Sequence, residues 1–95
     1  MGFAKDPIEL SRTKKMTKEE IALVLRDDLQ AELDATNLYL EQANLIDDEG
    51  VKATLIEIAK EEKVHFGEFL ALLKKYDSEI NNSIEAGQKE VDEKI

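Results

Sequence analysis

The chain has 95 residues, which is the size of one domain and excludes a tandem array of folded units. It contains no cysteine, which excludes a disulfide framework, a zinc ribbon, an iron–sulfur cluster and thiol chemistry. Its 22 acidic and 13 basic residues give a formal charge of −9. This charge disfavours nucleic acid and anionic lipid as partners and favours metal ions.

The N-terminal residues 1–15 include a glycine and a proline and show little periodicity, so we expect a flexible leader there. They have no apolar core of a signal peptide, and no apolar run approaches the roughly 20 residues of a membrane span. We therefore expect no contact with a membrane and a cytoplasmic location, alone or within a cytoplasmic assembly.

A long helix is predicted to follow the leader. Thr17 and Glu20 have the spacing of a capping box, which marks a helix start. Neither proline nor glycine interrupts the next 30 or so residues, so the pattern predicts a helix that ends near Ile46.

The polar residues 47–50 end in glycine and predict a turn. A second helix is predicted over 51–76, and residues 79–95 are predicted to be a short C-terminal helix or a linker and tail. Because the turn is short, the two long helices must be antiparallel neighbours within a hairpin domain at 16–78. The predicted fold class is therefore all-α.

A two-helix hairpin buries only one stripe of each helix and is a marginal structure alone. We therefore expect two copies to dimerise into a four-helix bundle. On a helical wheel, the apolar stripe of the first helix contains Ile21, Leu25, Leu29, Tyr39, Ala43 and Ile46. The stripe of the second helix contains Leu55, Ile58, Ala59, Phe66, Phe69, Leu73 and Tyr76.

Two acidic residues interrupt these apolar stripes. Glu32 falls in the middle of the first stripe and Glu62 in the middle of the second, with His65 one turn further along the same side. The wheel thus selects Glu62 and not its neighbour Glu61 as the inward acid. A carboxylate on an apolar stripe is costly unless it is paired or bound to a metal.

The three side chains should also lie at one height. Glu32 precedes the centre of the turn by as many residues as His65 follows it, and Glu62 is within one turn of that level. Two carboxylates and an imidazole suit iron, manganese or zinc. Bundles with two metal ions use a Glu from each of two helices and a Glu-x-x-His from each of the others, so this chain supplies half of such a site.

The chain resembles the encapsulated ferritins, a two-helix branch of the ferritin-like superfamily, over about residues 17–95. Glu32 and Tyr39 in QAELDATNLYL, and Glu62 and His65 in KEEKVHFGEF, carry the resemblance. It implies a homodimer with two iron ions shared between the subunits, in which Glu62 bridges the irons and Glu32 and His65 are terminal ligands. Tyr39 would lie beside the site.

The same resemblance implies a ferroxidase that oxidises Fe(II) with oxygen. It also implies dimers arranged in a decameric ring, carried as cargo by an encapsulin shell that stores the iron.

Two features depart from the family pattern. Some relatives have further carboxylates near Glu32, where this chain has Ala31 and the shorter Asp34. The residues after 80 also show no clear targeting tail. A shell domain fused after Ile95 in a longer natural chain is one hypothesis for how the chain is targeted.

Two other functions fit the same residues. A non-catalytic oligomerisation module could use buried polar residues to set the register of its helices. A peroxidase of the rubrerythrin type could use the same ligands, although this chain lacks the cysteines of a rubredoxin partner domain. The choice between iron and manganese stays open at this stage.

Overall fold

The computed structural model describes residues 12–95. This part of the chain forms three helices and no strand: α1 (Lys18–Asn44), α2 (Glu49–Tyr76) and α3 (Ile80–Lys94). The predicted all-α fold, a hairpin followed by a short third helix, is confirmed. Most of the predicted leader lies outside the described residues. In the described part of the chain, no helix is both long enough and apolar enough to cross a membrane.

The predicted capping box opens α1. The Thr17 hydroxyl accepts a hydrogen bond from the Glu20 backbone N–H at 3.2 Å, and the Glu20 carboxylate accepts one from the Thr17 N–H at 2.9 Å. The guanidinium of Arg12 also binds both carboxylate oxygens of Glu20, at 2.7 and 2.8 Å. These contacts, with that of Arg12 the largest, lower the pKa of Glu20 to about 2.

The connection between the long helices differs from its prediction by about two residues at each end. α1 ends at Asn44 rather than near Ile46, and α2 begins at Glu49 rather than at residue 51. α2 begins earlier because the side chain of Asp48 caps it by accepting a hydrogen bond from the Val51 N–H at 3.0 Å. Gly50 therefore lies in the first turn of α2 and does not end a helix.

The hairpin has a thin core. The buried residues along the seam between α1 and α2 are mostly small: Ala22, Leu25, Thr36, Ala43, Ala59 and Leu73. α3 contributes only Ile80, which packs against Ala22, Leu25 and Leu73 at the open end of the hairpin. The rest of α3 extends away from the hairpin, and the described part of the chain measures 46 × 46 × 25 Å.

The ion pair between Arg12 and Glu20 makes a pH-dependent contribution to the stability of the fold. Since the pKa of Glu20 in the folded chain is below its ordinary value of 4.5, this contribution is complete above pH 4.5 and is lost as the pH falls towards 2. Glu20→Gln should therefore lower the thermal midpoint at pH 7 and have a shrinking effect between pH 4.5 and 2. Glu19→Gln, an exposed change in the same turn, is the control. A deficit that stays constant down to pH 2 would contradict the assignment.

Candidate metal centre

The hairpin brings Glu32, Glu62 and His65 together. Glu32 lies in the middle of α1, and Glu62 and His65 lie one turn apart on α2. His65 Nδ1 is 3.5 Å from Glu32 Oε2 and 3.4 Å from Glu62 Oε2. One potential ligand atom from each residue lies within 4.8 Å of the others. The register expected from the turn is thus the register that the structure has.

These side chains lie beside the seam rather than in its middle, which corrects the wheel analysis. The Glu32 and Glu62 side chains are 17% and 18% exposed and that of His65 is 47% exposed, whereas Thr36 at the seam is buried. The reason is space, because closely packed helices admit small side chains between them and leave long ones at the border. We call the side of the hairpin that carries Glu32, Glu62 and His65 the metal face.

The neighbouring carboxylate of Glu62 disfavours ionisation of Glu32. The pKa of Glu32 is raised because its protonated form hydrogen-bonds to Glu62, because the group is partly buried, and because Glu62 is negatively charged. When both groups are ionised, Glu32 Oε2 is buried with no hydrogen-bond partner among the described residues. An unpartnered, buried carboxylate oxygen is costly, and either a proton or a cation relieves the cost.

The imidazole of His65 faces the same pair. Partial burial lowers the pKa of His65, but the hydrogen bond to Glu62 and the negative charges of Glu32, Glu62 and Glu68 outweigh it, so the pKa is raised. Nδ1 is the nitrogen that faces both carboxylates. This nitrogen can carry a proton in the metal-free protein or be a ligand once the proton leaves.

The remaining residues considered from the sequence have less defined positions. Tyr39 is half-buried two turns after Glu32 on the same side of α1, and its role beside the site stays a prediction. Ala31 and Asp34 are both exposed. The sequence pattern does not indicate a role for Thr36 in the site, yet its buried hydroxyl donates a hydrogen bond to the backbone oxygen of Glu32 at 2.8 Å. Its only sequence signal is a threonine four residues after the acid.

Comparisons with known proteins place this arrangement in a family. The family model described as Rubrerythrin matches residues 24–94, which include all three site residues. The chain belongs to the rubrerythrin family. A ferritin-like domain of this family binds iron, and the donors Glu32, Glu62 and His65 form a group that can hold a metal ion.

A solved structure with the same fold points to a narrower group of relatives within this family. The crystal structure of the encapsulated ferritin domain from Pyrococcus furiosus matches with a TM-score of 0.86 and 43% identity, and the match covers 97% of this chain and 94% of that one. The resemblance to encapsulated ferritins is thereby confirmed.

Two relatives are named for encapsulins. A ferritin-like-encapsulin shell fusion protein from Pyrococcus furiosus is 44% identical over 88 residues, which is 93% of this chain and 26% of the relative. An encapsulin nanocompartment cargo protein, EncC, from Myxococcus xanthus is 39% identical over 66 residues, which is 70% of this chain. The chain spans about a quarter of the first relative and about half (51%) of the second.

The raised pKa of Glu32 predicts that its charge destabilises the metal-free fold. Since the pKa in the folded chain is above the ordinary value of 4.5, stability is lost as the pH rises through that range. With a chelator at pH 7, Glu32→Gln should raise the thermal midpoint by a few degrees, and the gain should fade towards pH 4. Glu61→Gln, on the exposed face of the same hairpin, should change it little. A lower midpoint for Glu32→Gln at pH 7 would refute the prediction.

Proposed function

We propose that the chain is a ferroxidase, which oxidises Fe(II) to Fe(III) with oxygen at a two-iron site shared by two copies. The observation that carries the proposal is the convergence of Glu32, Glu62 and His65 from two helices, with the buried Oε2 of Glu32 left without a hydrogen bond. Membership of the rubrerythrin family supports it.

The donor set fits iron. Carboxylate and imidazole groups together suit first-row metals such as iron, and the two ionised carboxylates offset the charge of a divalent ion. The paired acids that raise the pKa of Glu32 without a metal become favourable neighbours beside a cation. The unpartnered Oε2 has the lone pairs of a free ligand atom.

One copy supplies only half of the site. Three donors leave a metal ion open to further ligands, and a pair of irons requires two Glu and two Glu-x-x-His contributions. The metal face is also partly exposed, as His65 shows. A second hairpin facing the first would supply the matching set around a two-fold axis, so that Glu62 would be shared by both irons and Glu32 and His65 would each hold one.

The protein groups have simple tasks in this scheme. Glu32 and Glu62 would hold Fe(II) as carboxylates and His65 would hold it as a neutral imidazole, so binding releases any proton that these groups carry. Iron supplies the redox chemistry, since each Fe(II) gives one electron to oxygen. Tyr39, half-buried two turns after Glu32 on the same side of α1, would lie beside the site.

A narrower role follows from the names of the relatives. We infer that the chain works inside an encapsulin nanocompartment in the cytoplasm, where the shell stores the oxidised iron, and that its dimers form a decameric ring. Encapsulin appears in the names of both sequence relatives. Co-expression with the shell protein of the same genome should yield particles in which the chain resists added protease. A chain that stays outside the particles would overturn this part.

Fe(II) oxidation in air tests the main proposal. The wild-type chain should oxidise Fe(II) rapidly and saturably, followed by absorbance, whereas Glu62→Ala/His65→Ala should oxidise it no faster than buffer because two of three donors are lost. Glu61→Ala removes an exposed acid one residue away and should retain the wild-type rate. Equally slow oxidation by the wild type and the double variant would refute the ferroxidase hypothesis and favour the non-catalytic oligomerisation module.

A comparison of two oxidants distinguishes the ferroxidase from a peroxidase of the rubrerythrin type. The rubrerythrin family model covers the site residues, so the same iron-loaded chain is tested with hydrogen peroxide under argon and with oxygen alone. A ferroxidase should turn over with oxygen at least as fast as with peroxide. Turnover with peroxide and none with oxygen would replace the ferroxidase by a peroxidase.

Native mass tests the shared site. Fe(II) added without oxygen should increase the mass of the wild-type chain, because the metal joins two metal faces, and the response should need about one iron per chain. Glu62→Ala/His65→Ala should show no increase, and Glu61→Ala should respond as the wild type does. Iron binding by the wild type with no change in mass would show that one copy holds the metal alone.

A further inference from the structure

Thr36 is the one buried residue with a polar side chain in the described part of the chain. It is 6% exposed, whereas the other buried residues along the seam are apolar: Ala22, Leu25, Ala43, Ala59 and Leu73. A hydroxyl among apolar neighbours is costly unless it is hydrogen-bonded, and valine has nearly the same shape without that cost. Packing alone therefore does not explain why a threonine stands here.

The hydroxyl of Thr36 is bonded to the backbone of a proposed metal ligand. Thr36 Oγ1 donates a hydrogen bond to the carbonyl oxygen of Glu32 at 2.8 Å. In a regular helix, that oxygen also accepts a hydrogen bond from the backbone N–H four residues later, which is the N–H of Thr36 itself. A hydroxyl that adds a second donor to one carbonyl tends to bend the helix at that turn. The hydrogen bond of Thr36 therefore shapes the turn of α1 that carries Glu32.

Thr36 also lies between the two helices that carry the donors. It is at the seam, one turn after Glu32 and, counted from the connection between the long helices, within about one residue of the level of Glu62. Ala59, a buried seam residue of α2, is within about two residues of the same level. Small residues at a seam let two helices approach closely. The local shape of α1 at Thr36 thus affects the distance between Glu32 and Glu62.

Glu32 is the donor whose position most needs support. Glu62 and His65 are one turn apart on α2, so the helix itself fixes their spacing. Glu32 is the single member of the group on α1. When both acids are ionised, its Oε2 has no hydrogen-bond partner among the described residues, so no hydrogen bond holds that oxygen. The backbone end of the side chain must therefore define where the Glu32 carboxylate lies.

We propose that Thr36 is a positioning residue for the metal site. Its hydroxyl holds the turn of α1 from Glu32 to Thr36 in the shape that places the Glu32 carboxylate beside Glu62 and His65. A displacement of about 1 Å at one donor is enough to weaken a site of this kind. The inference rests on the metal binding in the proposed function, but it does not depend on the oxidation of iron that follows binding.

Two variants separate the hydroxyl from the methyl group. Thr36→Val keeps the shape and removes the hydroxyl, Thr36→Ser does the reverse, and the three residues have similar helix propensities. With a chelator, Thr36→Val should have a thermal midpoint at least as high as the wild type, because the Glu32 carbonyl keeps its backbone hydrogen bond. Thr36→Ser should lose a few degrees, because it leaves a small cavity in the seam.

Binding of Co(II) should follow the opposite order. The metal-free chain is titrated with Co(II) and followed by its visible absorption bands, whose positions and intensities report the geometry of the ligands. Thr36→Val should bind Co(II) roughly tenfold more weakly than the wild type and with altered bands. Thr36→Ser should bind it as the wild type does, with the same bands, although its fold is less stable. A role limited to packing predicts that affinity follows the thermal midpoint.

Thr54 provides the matched control. Its hydroxyl makes the same hydrogen bond, to the carbonyl oxygen of Gly50 at 2.8 Å, but Thr54 is exposed and lies about two turns before Glu62 on α2. Thr54→Val should therefore bind Co(II) with the wild-type affinity and the wild-type bands. A tenfold loss in Thr54→Val would show that any such hydrogen bond acts on the site and would overturn the assignment to Thr36.

The outcomes separate this inference from the proposed function. Wild-type affinity and bands for Thr36→Val, or an equal loss in Thr36→Val and Thr36→Ser, would overturn the positioning role and leave the ferroxidase unaffected. Wild-type binding of Co(II) no tighter than that of Glu62→Ala/His65→Ala would refute the metal site and the role of Thr36 together. The expected order of affinities in a chain that does not oxidise Fe(II) would support the positioning role and refute only the ferroxidase.

Discussion

The repulsion between two partly buried carboxylates is the constraint on which the rest of this structure depends. Glu32 and Glu62 are held close because α1 and α2 are antiparallel and share a short, well-capped connection. Their proximity raises the pKa of Glu32 and leaves one of its oxygens unpartnered. A hairpin selected for stability alone would place apolar residues at these positions. Binding of a cation between Glu32 and Glu62 would explain why the chain keeps these destabilising acids.

Much of this arrangement follows from the sequence. The distances of Glu32 and His65 from the turn predict their common height, and the wheel separates Glu62 from Glu61. Periodicity and symmetry about a turn are long-range signals, which an error of two residues at a helix end does not erase. The actual start of α2 is marked by a side-chain cap, the hydrogen bond from Val51 N–H to Asp48, which periodicity does not contain.

Other features depend on contacts between side chains that no spacing rule predicts. The wheel places the acids in the middle of the stripes, but the thickness of the seam moves them to its border. The pair formed by Arg12 and Glu20 joins residues eight positions apart across a helix start. Thr36 combines a buried side chain with a hydrogen bond to the backbone of Glu32. In each case the three-dimensional packing, not the local pattern, decides the outcome.

The thin core links chemistry to assembly. The fully buried apolar residues of the hairpin are largely alanines and leucines, so few contacts within one copy hold α1 against α2. The geometry between Glu32 on one helix and Glu62 on the other therefore depends on whatever else presses the helices together. In the proposed dimer, a partner at the metal face would add ligands and would also press on the seam between α1 and α2. In that dimer, the partner would supply rigidity that a hairpin of this size cannot supply from its own core.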